Sequence, residues 1–237
     1  MRNFESFEKK LGLSFKKKDL LKKAFVHRSY INEHSSYKLG HNERLEFLGD
    51  AVLELIVTEW LFIKYPDAEE GDMTNWRASL VNSQIISIIA QEMGMEALLY
   101  LSRGESKDRL SKARQMILAD AFEALIGAIY LDQGLEACIR VIKEWLLVKF
   151  DDILANRLYL DPKSSFQEQS QEKLGITPCY KVLSEKGPDH NKMFVIGVYL
   201  KDKKASEGEG SSKQEAQLAA AQSALDKIKW SEWECLK

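Results

Sequence analysis

The sequence has few cysteines, no long apolar run and little net charge. Its three cysteines are far apart and form no Cys-x-x-Cys pair, so neither a disulfide framework nor a zinc site is supported and a reducing compartment fits. The longest stretch without a charged residue, 78–91, is shorter than the roughly 20 residues that span a bilayer. The N-terminus lacks the apolar core of a signal peptide, so we expect a cytoplasmic protein with no membrane segment. The net charge of −2 disfavours a general polyanion binder but says nothing of local patches.

The hydrophobic and charged fractions, 45% and 30%, are typical of a soluble globular protein, and 237 residues allow one large domain or two small ones. Helical periodicity dominates up to about Phe150, and Asp161-Pro162 predicts a domain boundary. We expect a loop at Ser102–Arg114, and helices at 41–64, 73–93, 111–131 and 135–154.

A stripe of acids interrupts the first long helix. Its apolar residues follow a helical period, whereas Glu43, Glu46 and Asp50 fall within about 60° of one another on the helix surface. Like charges stacked this way repel, and folding does not require them. The stripe is either a solvated acidic face or a set of carboxylates in a partly dry site, where they raise their pKa or bind a cation.

A second acidic pair lies on the helix predicted at 111–131. Asp120 and Glu123 share one face, which Ala124 and Gly127 continue with almost no side chain, so another helix or a ligand could approach closely. If the two acidic helices face each other, four carboxylates converge, and divalent cations such as Mg²⁺, Mn²⁺ or Ca²⁺ would offset their charge. A di-iron bundle is disfavoured because neither helix has the Glu-x-x-His spacing.

The residues after Pro162 follow a different pattern, a helix, three strands and a helix. Residues 161–237 contain 12 Lys, no Arg and 12 acidic residues, so the overall basic charge usual in nucleic-acid binding is absent. Ser211, Ser212 and Lys213 open the last helix and could form a phosphate site, although serine at this position is mostly only a helix cap.

The motifs resemble those of ribonuclease III. The stretch Asn42–Asp50 resembles the signature of that family, and 27–30, 70–73 and 118–127 resemble its other marked stretches. The C-terminal part resembles a double-stranded-RNA-binding domain at 167–168, 187–190 and 210–213. The resemblance implies an all-α endonuclease domain followed by an α+β (α-β-β-β-α) RNA-binding domain. The implied bounds are 1–153 for the nuclease domain, 154–161 for a linker, 162–230 for the RNA-binding domain and 231–237 for a tail.

This resemblance implies a homodimeric, Mg²⁺-dependent endoribonuclease that cuts double-stranded RNA to 5′-phosphate and 3′-hydroxyl ends with short 3′ overhangs. Ribosomal precursors and other structured RNAs are the expected substrates. Two Mg²⁺ ions per site are expected, with Mn²⁺ as a possible substitute. The implied roles are metal ligation by Glu46, Asp50, Asp120 and Glu123, catalysis by Asp50 and Glu123, auxiliary acids at Glu43 and Glu70, and a dimer contact at Phe47. The implied RNA-binding residues are Gln167, Glu168, Gln171, Pro188, Asp189, His190, Ser212 and Lys213.

Two features depart from the family pattern. Only Lys213 is basic at the start of the last helix, where Gln214 and Glu215 follow, so we expect weaker RNA binding and a shallower salt dependence. Glu54 extends the acidic stripe by a turn, and we expect it to form a salt bridge rather than bind metal. The alternatives to a nuclease are a non-catalytic RNA binder and a helical metal-binding scaffold.

Overall fold

The chain folds into two units with different architectures. A computed structural model divides it into Met1–Tyr159, which is helical, and Leu160–Lys237, which combines helices with a sheet. This confirms the predicted fold class. The predicted linker, 154–161, lies outside the described residues except for its first two, which end a helix. The structure describes residues 2–107, 111–155, 162–187 and 192–236.

Helices build the described part of the first unit. The two longest, α4 and α8, have 22 residues each and pack more extensively against each other than any other pair. None of the described helices is long and apolar enough to cross a bilayer. The helices are α1 Phe4–Lys10, α2 Lys18–Ala24, α3 Arg28–Glu33, α4 Glu43–Lys64, α5 Glu70–Leu80, α6 Ser83–Glu92, α7 Arg103–Lys107, α8 Lys112–Gln133, α9 Leu135–Trp145 and α10 Phe150–Ala155, with 3₁₀ turns at Met95–Leu98 and Leu147–Lys149.

A buried asparagine fixes the start of α4. The Asn42 side chain is 2% exposed and donates a hydrogen bond to the carbonyl oxygen of Ala24 at 3.2 Å. The Asn42 backbone N–H donates to the carbonyl of Val26, and the Asn42 carbonyl accepts from Leu45 and Glu46. These bonds satisfy polar groups that a buried helix end would otherwise leave unpaired, and they hold the acidic first turns of α4 against the core.

Two glycines let α4 and α8 touch backbone to backbone. A Cβ added to Gly49 would overlap the carbonyl oxygen of Glu123, and one added to Gly127 would overlap the carbonyl oxygen of Leu45. Helix axes normally stay 8–10 Å apart because side chains separate them. Ala124 and Gly127 were predicted to allow the close approach of a helix or a ligand, and Gly127 allows the close approach of helix α4. The crossing point of the two helices lies beside the acids of both.

The second unit is an antiparallel sheet of three strands with helices packed against it. The strand order is β1-β2-β3, and β1 has a bulge at Leu183. Alanines of the last helix approach the sheet closely because β3 has glycine at two positions, Gly208 and Gly210, where a Cβ would overlap the helix. The elements are α11 Pro162–Leu174, β1 Cys179–Lys186, β2 Met193–Leu200, β3 Lys203–Gly210, α12 Lys213–Lys227 and a 3₁₀ helix at Trp230–Leu236.

Several predicted elements of the first unit were wrong in detail. The helix expected at 73–93 is two helices, α5 and α6, because the side chain of Asn82 caps the second by accepting from the N–H of Ile85. The expected loop at Ser102–Arg114 contains α7, and residues 108–110 lie outside the described part. The helix expected at 135–154 is divided into α9, a 3₁₀ turn and α10.

The last residues are not a simple tail. The segment predicted as a tail, 231–237, lies almost entirely within the 3₁₀ helix Trp230–Leu236. Trp233 is 7% exposed and joins the core of the second unit, while Trp230 stacks on Phe166 with ring centroids 5.9 Å apart. Large aromatic rings dominate the burial energy of small cores, so this segment stabilises the unit.

Candidate active site

The crossing of α4 and α8 brings the four predicted metal ligands together. The charges of Asp50, Asp120 and Glu46 all act on Glu123, and the charge of Asp120 acts on Glu46. Glu46, Asp120 and Glu123 are half-buried, whereas Asp50 is exposed. Four carboxylates from two helices therefore share one site that is partly open to solvent.

Three of these carboxyl groups resist ionisation. Burial, followed by the charges of Asp50, Asp120 and Glu46, raises the pKa of Glu123 from 4.5 to about 8. Burial and then Asp120 raise the pKa of Glu46 from 4.5 to about 7. Burial and then Glu43 raise the pKa of Asp120 from 3.8 to about 6. Each side chain loses hydration and faces like charge, so a bound cation would stabilise the ionised cluster.

The donor set fits a hard divalent cation in an open site. Among the described residues, no group of three or more His, Cys, Asp or Glu side chains is arranged so that it could hold a metal ion as it stands. Mg²⁺ in phosphoryl-transfer sites is held by one or two carboxylates and by substrate phosphates, and it keeps several waters. Mn²⁺ also prefers carboxylate and water oxygens. The cluster supplies such carboxylate oxygens and is partly open to solvent.

Glu43 lies at the edge of the cluster, where it meets two basic side chains. It is exposed in the first turn of α4, with Arg28 Nη1 at 3.5 Å and His41 Nδ1 at 3.7 Å. Sequence reasoning gave no role to Arg28, although it lies within a stretch that resembles the family. Its guanidinium is 69% exposed and places positive charge beside the acids. Glu43 therefore joins the carboxylate cluster to a basic rim.

His27 has a structural place beside this rim. Its Nδ1 accepts a hydrogen bond from the backbone N–H of Ser29, and the residue caps the N-terminus of α3. Burial lowers the pKa of His27, which favours the neutral ring that this cap needs. His27 is therefore a hydrogen-bonded helix cap.

Glu70 lies apart from the carboxylate cluster. Glu70, in the first turn of α5, lines a cavity of about 260 Å³ with Thr58 and Phe62. Those α4 residues are 12 and 16 positions beyond Glu46, or about 18 to 24 Å along the helix at 1.5 Å per residue. The structure therefore does not bring Glu70 to the carboxylate cluster of its own chain.

The salt bridge predicted for Glu54 was wrong. No ion pair of Glu54 is found within the described part of the chain, and its charge acts instead on Glu123, as the weakest of four repulsive neighbours. The expectation failed because the face that Glu54 shares with Asp50 turns toward the acids of α8.

Phe47 projects away from the core. It is 83% exposed, and Leu55 and Phe62, at 57% and 69%, follow it on α4. At 100° per residue, Leu55 lies about 80° from Phe47 and Phe62 about 60° from it, so the three share one face. Scattered exposed apolar residues are normal, but an aligned stripe on one helix is typical of an interaction surface.

The predicted RNA-binding residues of α11 point outward. Gln167, Glu168 and Gln171 are all exposed, as the prediction requires. The side-chain oxygen of Gln171 accepts from the hydroxyl of Thr177 at 3.4 Å. Pro188, Asp189 and His190 lie outside the described residues.

The start of α12 is already capped by the protein itself. The Ser212 hydroxyl accepts from the N–H of Glu215 at 3.1 Å, and the Glu215 carboxylate accepts from the N–H of Ser211 at 2.9 Å. This is a variant of the capping box, and it explains an acid at that position. Ser212 is therefore a helix cap, and Lys213 supplies the positive charge of this turn.

Comparisons with known proteins match both units of the chain. The family described as Ribonuclease-III-like matches residues 17–150, and the Double-stranded RNA binding motif matches residues 162–228. Ribonuclease 3 of a Nitratiruptor species is 42% identical over 97% of this chain and 98% of its own length. Ribonuclease 3 of Bacillus licheniformis is 44% identical over 95% of this chain and 90% of its own.

A solved structure shows the same fold in the first unit. The nuclease domain of ribonuclease III from Campylobacter jejuni is 38% identical, covers 63% of this chain and 99% of its own, and superposes with a TM-score of 0.55. Together these matches confirm the resemblance. The chain therefore belongs to the ribonuclease III family of endoribonucleases and carries a double-stranded RNA binding motif in its second unit.

Proposed function

We propose that the protein is a Mg²⁺-dependent endoribonuclease that hydrolyses double-stranded RNA. The observation that carries this proposal is the cluster at the crossing of α4 and α8, where burial and like charge raise the pKa of three carboxyl groups. A protein that only binds RNA gains nothing from acids beside phosphates. A nuclease uses such acids to hold cations that neutralise those phosphates.

The roles of the residues follow from where they lie. Glu46, Asp50, Asp120 and Glu123 would hold two cations, with Mn²⁺ as a substitute for Mg²⁺. Bound cations supply phosphoryl charge neutralisation, an acidified water and stabilisation of the leaving 3′-oxygen. Asp50 is the most exposed of the four and faces the substrate side, while Glu123 lies between both helices and orients the set. Glu43 holds Arg28 at 3.5 Å, where the guanidinium can meet a backbone phosphate.

The second unit would hold the duplex for cleavage. Outward-facing Gln167, Glu168 and Gln171 suit a minor groove, where 2′-hydroxyls both donate and accept hydrogen bonds. Lys213 suits a phosphate across the major groove. We propose products with 5′-phosphate and 3′-hydroxyl ends and short 3′ overhangs, a cytoplasmic location, and structured RNAs such as ribosomal precursors as substrates.

One experiment tests the reaction. The purified chain is incubated with a long perfect duplex RNA, and separately with each single strand, in Mg²⁺ and in EDTA. We expect cleavage of the duplex alone and in Mg²⁺ alone, with product ends that a ligase requiring 5′-phosphate accepts. Binding of the duplex without cleavage in Mg²⁺ would refute the proposed activity and favour a non-catalytic binder.

We also propose that the protein acts as a homodimer through the exposed face of α4. Phe47, Leu55 and Phe62 form an apolar stripe beside the 260 Å³ cavity that Phe62 helps to line. Apolar anchors seated in pockets dominate interface energies. Phe47→Asp should convert the dimer to a monomer in light scattering after size exclusion. The matched control is Val148→Asp, which changes another exposed apolar residue, 67% exposed, and should leave the dimer intact.

A further inference from the structure

An ion-pair cluster on the second unit joins strand β1 to the start of α12. Glu185 on β1 is bonded through one carboxylate oxygen to Lys213 Nζ at 3.1 Å and through the other to Lys192 Nζ at 3.0 Å. Two ammonium groups from separate parts of the chain therefore converge on one carboxylate. The family resemblance implies that Lys213 binds an RNA phosphate. In this structure the Glu185 carboxylate is already paired with the ammonium group of Lys213.

The two lysines share a preformed platform. Both ammonium groups lie over the ring of Phe194, with Lys213 Nζ 5.6 Å and Lys192 Nζ 5.8 Å from its centroid. An aromatic face attracts cations at such distances. Phe194 pairs with Gly210 across the sheet, and a Cβ at Gly210 would overlap the first turn of α12. The close approach of β3 and α12 thus fixes where the lysines meet.

Glu185 is ionised in this cluster. Hydrogen bonds from Lys192 and Lys213 lower the pKa of its carboxyl group below the usual range. The three charges sum to +1, where the two lysines alone would present +2. A carboxylate and a phosphate both offer two negatively charged oxygens to the same donors, so the two compete for one place.

We propose that Glu185 is a built-in competitor for RNA phosphate: it neutralises Lys192 and Lys213 in the free protein, and duplex RNA binds at this place by displacing it. The inference deepens the proposed function, on which it rests, by naming a residue that sets RNA affinity. Exposed ion pairs are weak and screened by salt, so a phosphate of a highly charged duplex can replace them. Glu185 therefore lowers the affinity for duplex RNA without abolishing binding.

The test compares Glu185→Gln with the wild-type full chain. Binding to a perfect duplex of about 20 base pairs, longer than the roughly 16 that such a domain contacts, is measured in EDTA so that no RNA is cut. We expect Glu185→Gln to bind about three- to tenfold more tightly, because two weak surface pairs no longer compete. The slope of log K against log salt should steepen, because salt no longer weakens a competing ion pair and acts only against the contacts to phosphate.

Glu207→Gln is the matched control. Glu207 lies on β3 of the same unit and forms one ion pair, with Lys204 Nζ at 2.8 Å, so this substitution removes the same charge without freeing the cluster. We expect its affinity to change by less than about twofold. Equal tightening by both variants would show a general charge effect and overturn the proposal.

A background lacking the two lysines tests the site itself. In a Lys192→Gln, Lys213→Gln protein, adding Glu185→Gln should no longer tighten binding, because no cation remains to be released. Weaker or unchanged binding of the single variant Glu185→Gln would overturn the competitor role. Failure of the wild-type chain to bind duplex RNA would instead refute RNA recognition by the second unit, so the two failures are distinguishable.

Discussion

Removing one carboxylate from the cluster should stabilise the metal-free protein at alkaline pH. The pKa of Glu123 rises from 4.5 to about 8 on folding. Each unit corresponds to about 1.4 kcal/mol, so the full shift corresponds to about 5 kcal/mol. The side chain is only half-buried, and water screens part of this repulsion, which leaves about 2 kcal/mol.

The sign follows from proton linkage. The folded state holds a proton on Glu123 more tightly than the unfolded state, so the free energy of unfolding falls as pH rises from about 4.5 to about 8. Glu123→Gln cannot titrate at this position. The stability of the variant relative to wild type should therefore increase across that interval and level off above it.

Calorimetry of the full chain in EDTA, at several pH values between 5 and 9, measures this difference. We expect the unfolding temperature of the nuclease unit to shift by about 4–8 °C in favour of Glu123→Gln at the alkaline end, at about 2–4 °C per kcal/mol. Mg²⁺ should stabilise wild type more than the variant. Glu59→Gln, which changes an exposed acid elsewhere on α4, is the matched control and should be stabilised much less at the alkaline end. A difference between Glu123→Gln and wild type that does not change with pH would refute the electrostatic account.

Two packing predictions concern other parts of the chain. Gly49→Ala should destabilise the nuclease unit by about 3 kcal/mol or more in thermal unfolding, because its Cβ meets rigid backbone of α8. Gly71→Ala, on α5 with open space around it, should be neutral or stabilise by up to about 1 kcal/mol, and equal effects would contradict the crossing geometry. Trp233→Ala should destabilise the RNA-binding unit by about 3 kcal/mol in the same assay, whereas a dispensable tail would show no change.

The elements that carry the site could be predicted because their signals are local. The acidic stripe of α4, and the pair Asp120 and Glu123 with small residues beside it, follow from helical periodicity alone. Helical periodicity does not predict whether the acids of α8 face the acidic stripe of α4. Contacts between residues more than 70 positions apart, such as Gly49 with Glu123, decide it.

Other features could not be predicted because nonlocal contacts override the local pattern. Apolar residues continue through Val81, so periodicity alone predicts one helix where the cap at Asn82 makes two. The ion pair of Glu185 and Lys213 joins a strand to a helix 28 positions away. Counting charges shows only that residues 161–237 have no net charge, so it does not predict this pair. A salt bridge was expected for Glu54 because the sequence does not show which face of α4 turns toward the acids of α8.

The most direct test of the nuclease assignment separates cutting from binding in one pair of variants. Glu123→Gln removes an acid of the cluster and Glu54→Gln removes an acid beside it, and both variants are assayed for duplex cleavage in Mg²⁺ and for duplex binding in EDTA. We predict that Glu123→Gln loses cleavage by more than about a hundredfold, since even outer partners of a metal are worth about 10- to 100-fold. Glu54→Gln should cut at nearly the wild-type rate, and both should bind duplex normally. Normal cleavage by Glu123→Gln would contradict the assignment of the site.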